Sequence, residues 1–265
     1  MSIIEVKNLN VMRNGKLIIR NANFEINKGD YVGIIGPNGG GKTTLILTIL
    51  GQIPRLSGII KLFGKNIEEF NEWEKIAFIP QDAINFDNNF PITVKEFVSL
   101  GRLGRNKIGK RLNKEDWEEI NNILEFMGIS NIANKRIGEI SIGQKQRMFL
   151  AMALVRNPEL IILDEPISNV DPITQEKFYK KLSDLNYKEG KTILVVSHDL
   201  SAVFCRMNKV ICVNIDVIIA EIKENTDIQG IVRKAYGEHF YFVFHKHECK
   251  GEFENDWIIK ISIFS

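Results

Sequence analysis

The stretch Gly36-Pro37-Asn38-Gly39-Gly40-Gly41-Lys42-Thr43-Thr44 constrains the chain more than any other. It reads G-x-x-x-x-G-K-T, a pattern that works only where a buried strand enters a tight turn that opens a helix. The flanks supply that context. Apolar Tyr31-Val32-Gly33-Ile34-Ile35 stands before it, and Leu45-Ile46-Leu47-Thr48-Ile49-Leu50 follows. Glycines let the backbone curl so that successive N–H groups face an anion. The helix beginning near Gly41 adds its unpaired N–H groups and its dipole. Lys42 then reaches terminal phosphates, and the Thr43 hydroxyl can hold Mg²⁺. Such a string arises by accident in on the order of one chain in a hundred. The motif points to nucleotide binding.

At 265 residues the chain is one elaborated domain or two closely joined lobes, with room for a large core. Lys+Arg 35 nearly balances Asp+Glu 33, so no bulk charge draws the protein to nucleic acid. Met1 to Lys7 lacks the basic-then-apolar order of a secretory signal. No run approaches the ~18 uninterrupted apolar residues that cross a bilayer. Cys205, Cys212 and Cys249 contain no C-x-x-C pair, which fits reduced thiols in a cytoplasmic protein.

Along the chain, Ile3–Val6, Leu17–Ile19 and Asn23–Ile26 read as short strands, with turns at Asn14-Gly15 and Lys28–Asp30. They are expected to form an antiparallel edge on a larger sheet. Gly58–Phe63 and Ile76–Ile79 read as further strands, the second ending at Pro80-Gln81. From residue 90 to residue 157 the texture becomes helical. Thr93–Val98 is one helix, and a loop rich in glycine and cations runs from Gly101 to Arg111, read as a solvated surface. Asn113 and Asp116 look like a capping pair for a helix whose Trp117, Ile120, Leu124 and Met127 pack as core before a stop at Gly128. A new helix begins at Ile140-Ser141-Ile142-Gly143-Gln144 and runs to Pro158. Leu160–Leu163 and Thr192–Val196 are continuous apolar runs, suited to central parallel strands. They end in Asp164-Glu165 and Ser197-His198, at the edge where open α/β sheets bind ligands. The fold class is therefore α/β: a phosphate-loop core with a mainly parallel sheet, an antiparallel β edge and a helical subdomain.

A bound nucleoside triphosphate needs a Mg²⁺ partner, a group that activates water, and donors for developing charge. Asp164 is placed for the metal and Glu165 for the water. An Asp-Glu pair alone is usually a solvated turn, but this one ends a buried strand beside a phosphate loop. His198 and Gln81 each end an apolar strand in the same way.

This ordered set resembles the ATP-binding subunit of an ATP-binding cassette (ABC) transporter over roughly residues 3–222. The motifs are Gly36–Thr44, Gln81, Ile140–Gln144, Leu160–Pro166, Ser168-Asn169-Val170-Asp171 and His198. The resemblance implies that Gly36, Asn38, Gly39, Gly41, Lys42, Thr43 and Thr44 hold ATP and its Mg²⁺, with Asp164 supporting the metal. It implies Glu165 as general base, His198 at the γ-phosphate, and Gln81 sensing Mg²⁺ and water. Ser141, Gly143 and Gln144 would belong to a signature loop that closes over ATP held by a second copy, with Asp171 across that interface. A head-to-tail homodimer with two ATP, an integral membrane permease and, indirectly, a substrate-binding protein follow, with the protein peripheral on the inner face of the membrane.

Two positions depart from the family's pattern. Ile142 stands where glycine is common, and Arg13 stands where an aromatic residue usually stacks on adenine; a guanidinium plane also stacks on a base. Phe90-Pro91-Ile92-Thr93-Val94 with Gly101-Arg102 resembles the zinc/manganese-type importers. The alternatives are an ATPase of an iron–siderophore or cobalamin importer, or a non-transport cassette ATPase. A different class, the GTPases, is disfavoured because Asn208-Lys209-Val210-Ile211 lacks the acidic residue that selects guanine. Beyond about Glu224 the resemblance ends, and the role of 223–265 stays open. If His239–Cys249 is a strand, His239, His245, His247 and Cys249 share one face. An ordinary edge strand and a weak zinc site both fit that pattern.

Overall fold

The apolar runs around the phosphate loop become neighbours in one sheet. The computed structural model describes residues 1–84, 90–103, 111–167 and 172–237. Two long strands, β1 (Ser2–Arg13) and β2 (Lys16–Asn27), form a hairpin turned at Asn14-Gly15, and β3 (Tyr31–Ile35) leads into α1 (Lys42–Ile49). Strands β4 (Ser57–Leu62), β5 (Lys65–Asn66) and β6 (Ile76–Ile79) follow. Helices α2 (Val94–Leu100), α3 (Lys114–Phe126) and α4 (Ile142–Leu154) all fall between β6 and β7 (Leu160–Asp164). The chain continues through α5 (Pro172–Glu189), β8 (Thr192–Val196), α6 (Leu200–Arg206), β9 (Lys209–Glu221) and α7 (Ile228–Tyr236).

Among the described residues the strands join a nine-stranded sheet in the order β5-β4-β1-β2-β9-β3-β8-β7-β6. Pairings of β1 with β2 and β4, and of β4 with β5, are antiparallel, whereas β3, β6, β7, β8 and β9 run parallel. Strand β9 serves both halves: it pairs with β3 over Lys209–Cys212 and with β2 at Ile215 and Asp216. Parallel strands put all their carboxyl ends on one edge. The ends of β3, β6, β7 and β8 therefore converge.

Alternation along the central strands feeds two separate cores, which is why these runs are apolar throughout. Tyr31, Ile161, Leu163, Ile193, Val195 and Cys212 pack with the helices α2–α7 on one face. Val32, Ile34, Leu160, Ile162, Leu194 and Val196 pack with α1 and the antiparallel hairpin on the other.

Two boundary expectations need correction. The three short N-terminal strands are two long ones, because Asn8 and Asn21 take left-handed conformations at register shifts instead of ending the pairing. Side-chain amides cover the freed backbone groups: Asn8 N donates to Asn23 Oδ1 and Asn21 N to Asn10 Oδ1. Ile140 is extended, Ser141 caps α4, and Ile142 is its first residue. The antiparallel edge, the helices after residue 90, the Asn113/Asp116 capping box and the left-handed Gly128 stop all stand as expected. Most of the cationic loop (104–110) and the tail pattern with His239, His245, His247 and Cys249 lie outside the described residues.

Candidate functional site

The phosphate loop is built to leave donors free. Helices α2, α3 and α4 each begin with a reciprocal capping box, and α6 and α7 with an aspartate that accepts a backbone N–H. Helix α1 begins at Gly41 with no side-chain cap and no acid in its first turn. Its N–H groups and positive dipole end are left for an anion. Gly36, Gly39 and Gly41 all have positive φ, as a loop curled around a ligand requires. At Gly36 the need is absolute, since a Cβ would sit 2.0 Å from the Val213 carbonyl oxygen.

Lys42 lies along this loop with its Nζ donating to Gly36 O at 3.0 Å and Pro37 O at 3.1 Å. Burial pulls its ammonium below the usual lysine range, partly offset by the nearby charges of Glu165 and Asp164. A desolvated cation whose hydrogen bonds among the described residues go to two carbonyl oxygens is poised for a phosphate.

Asp164 ends β7 almost fully buried, and burial pushes its carboxyl above the ordinary range. The Thr43 hydroxyl draws that value partly back. Neither carboxylate oxygen has a hydrogen-bond partner of normal geometry among the described residues. Buried polar atoms are almost always paired, and an orphaned carboxylate beside a threonine hydroxyl fits a hard, oxygen-seeking divalent cation such as Mg²⁺.

The next residue turns outward. Glu165 adopts φ 48, and its N–H donates to Val196 O at 3.2 Å, which swings the side chain off the strand end. Its two carboxylate oxygens are each taken: Gln81 Nε2 donates to one at 2.8 Å, and His198 Nε2 lies 2.7 Å from the other. Three strand ends, β6, β7 and β8, thus meet on one carboxylate.

These groups line a cleft of about 620 Å³ walled by Arg13, Ile18, Asn38, Gly39, Gly41, Lys42, Thr43, Thr44, Gln81, Glu165 and His198. Gly36 and Asp164 sit beneath it, buried. Ser141, Gly143 and Gln144 do not border it. Ser141 Oγ accepts the Gln144 N–H at 3.3 Å, and Ser141 N donates to Gln144 Oε1 at 2.9 Å. Ile142 beside them is exposed. Asp171 lies outside the described residues.

Two contributors escape the sequence reading. Ile18 on β2 forms part of the cleft wall next to Arg13, signalled only by its place opposite the Asn14-Gly15 turn. Tyr236 at the end of α7 accepts the Gly36 N–H at 3.1 Å. The sequence reading placed no helix there, although Asp227, the spacing of Ile228, Val232 and Ala235, and Gly237 are the signals for one; nothing in the sequence ties it to the loop.

Comparison with known proteins agrees with this geometry. Residues 19–168 match the ABC transporter family. The chain is 42% identical over 216 residues to the zinc uptake system ATP-binding protein ZurA of Listeria monocytogenes, covering 82% of this chain and 84% of that protein. It is 35% identical over 251 residues to the manganese transport system ATP-binding protein MntB of Bacillus subtilis, covering 95% and 99%. Among solved structures, the ADP conformation of an ATP-binding cassette of an ABC transporter superposes with a TM-score of 0.75 at 26% identity, over 89% of this chain and 97% of that one. A dimeric, post-hydrolysis cassette bound to ADP and phosphate gives 0.69 at 26% identity, over 83% and 99%. With more than half its length matched and its strand ends converging on one cleft, the chain belongs to the ABC transporter family, as an ATP-binding subunit that hydrolyses ATP.

Proposed function

We propose that this protein powers the import of a divalent metal ion, zinc or manganese, through a separate membrane permease. The observation that carries the site reading is the junction of Gln81, Glu165 and His198 in the same cleft as Lys42 and Thr43. Lys42, the loop from Gly36 to Gly41 and Thr43–Thr44 bind the triphosphate, and Arg13 with Ile18 faces the base. Glu165 accepts the proton of the attacking water, and His198 holds the γ-phosphate. Thr43, Asp164 and the carboxamide oxygen of Gln81 are the residues for Mg²⁺, which when bound neutralises charge on the phosphates. Gln81 and His198 hold the two Glu165 oxygens and so orient the base in the cleft.

Ser141, Gly143 and Gln144 stand off the cleft of their own chain, which supports a head-to-tail pair in which each copy lends this helix start to the other's ATP. Residues 1–222 form the ATPase domain, with catalytic core 1–89 and 158–222 and helical subdomain 90–157; 223–265 follows, and its helix α7 packs into the core of that domain. No described helix is long and apolar enough to cross a membrane. The cargo rests on the names of the zinc and manganese relatives. Proteoliposomes holding the permease and this subunit, with ATP enclosed on the subunit's side, should accumulate zinc or manganese only with ATP present. Uptake of neither metal, with uptake of an iron chelate or cobalamin instead, would overturn the cargo and leave the ATPase intact.

A further inference from the structure

Helix α7, the last element among the described residues, reaches the phosphate loop from behind. Gly36 is the pivot of that loop. It is buried, left-handed and pressed against the Val213 carbonyl so closely that no side chain fits. Its carbonyl oxygen accepts Lys42 Nζ from the cleft side, and its N–H donates to Tyr236 Oη. One residue is thus gripped at its carbonyl by the phosphate-binding lysine and at its N–H by a residue that does not line the cleft.

The grip is anchored. Helix α7 opens on an Asp227 cap, where Oδ1 accepts the Gly230 N–H at 2.8 Å. Ile228, Val232 and Ala235 then bury one face against the core that contains Val210 and Cys212 of β9. Asn214 Nδ2 donates to Ala235 O at 3.3 Å, stapling the last turn to the stretch of β9 beside the loop. Gly237 at φ 100 ends the helix immediately after Tyr236. Burial also pushes the Tyr236 phenol above its ordinary value, so it stays a neutral acceptor across the physiological range.

We propose that Tyr236 is a positioning residue for the nucleotide: by holding the Gly36 N–H, helix α7 fixes the phosphate loop in the shape that receives a triphosphate and sets ATP affinity from outside the cleft. This rests on the reading of the loop as the ATP site. Without the hydroxyl, a buried donor loses its partner and the loop gains the freedom to turn that N–H elsewhere. ATP must then bind the competent fraction only, which weakens apparent affinity without touching the reacting groups.

The test uses the full chain and Tyr236→Phe, which keeps the ring and its packing. Affinity for Mg·ATP is measured by calorimetry, turnover by phosphate release, and melting temperature without nucleotide. The expected result is an ATP Kd and KM raised about ten-fold, the size of one neutral hydrogen bond, with kcat within about two-fold, the signature of lost ground-state binding. Lys234→Ala, an exposed change on the same helix, should leave all three values alone. An unchanged Kd in Tyr236→Phe, a fall in kcat at constant KM, or an equal loss in Lys234→Ala would overturn the proposal while leaving the ATP site standing. A wild type that fails to bind Mg·ATP would overturn both.

Discussion

At the scale of single residues, two adjacent acids on β7 have opposite fates. Glu165 turns into the cleft and finds two partners, whereas Asp164 stays beneath it with none of normal geometry. Glu165→Gln keeps the shape and removes the base. Phosphate release should fall by about 10²- to 10⁴-fold, the range for a lost general base, while Mg·ATP still binds; unchanged turnover would remove Glu165 from that role. Asp164 predicts a trade between stability and activity. Because burial raises its pKa above the unfolded value, the folded state binds the proton more tightly. Stability is therefore lost as pH rises through the window from the ordinary aspartate value to the raised one, and the penalty persists above it. Asp164→Asn abolishes that titration. Thermal unfolding of the nucleotide-free variant should match wild type in acid and exceed it at neutral pH, while metal-dependent ATP turnover is lost. A variant less stable at neutral pH would show that the charged Asp164 carboxylate is held by a partner in the folded protein.

At the scale of elements, helix caps sort structure from function. Asn113 and Ser141 make the same kind of capping box at the starts of α3 and α4. Asn113→Ala should cost about 1 kcal/mol of unfolding free energy and leave turnover per folded molecule unchanged. Ser141→Ala should cost a similar amount and also depress turnover, read by phosphate release at saturating ATP. Equal turnover in the two variants would make Ser141 only a cap. Local chemistry explains what could be read in advance. The phosphate loop, Gln81, Asp164, Glu165 and His198 were legible because each follows a short, fully apolar strand, and parallel pairing then forces the ends together. The hairpin of β1 and β2 was less legible. Asparagine reads as a strand end, yet Asn8, Asn10, Asn21 and Asn23 stitch the bulges to one another across the pair. The contact of Tyr236 with Gly36 spans 200 residues of chain, and no local pattern encodes it.

At the scale of the whole molecule, a start of α4 that stands clear of its own cleft makes assembly a testable property. Glu165→Gln with Mg·ATP should elute as a dimer in gel filtration, and adding Ser141→Ala should return it to a monomer. A dimer that survives the double change would place the interface elsewhere. Strand β9 has a reach of its own. Arg13 and Ile18 come from the antiparallel part of the sheet, and the loop from Gly36 to Lys42 comes from the parallel part. The two parts are sewn together where Ile19 and Arg20 meet Ile215 and Asp216, with a two-pronged Arg20–Asp216 contact at the seam. The proposed base wall and the phosphate cradle are thus separate castings held in register by one ribbon. Loosening that ribbon would blur which base the protein prefers well before it dulled the appetite for triphosphate.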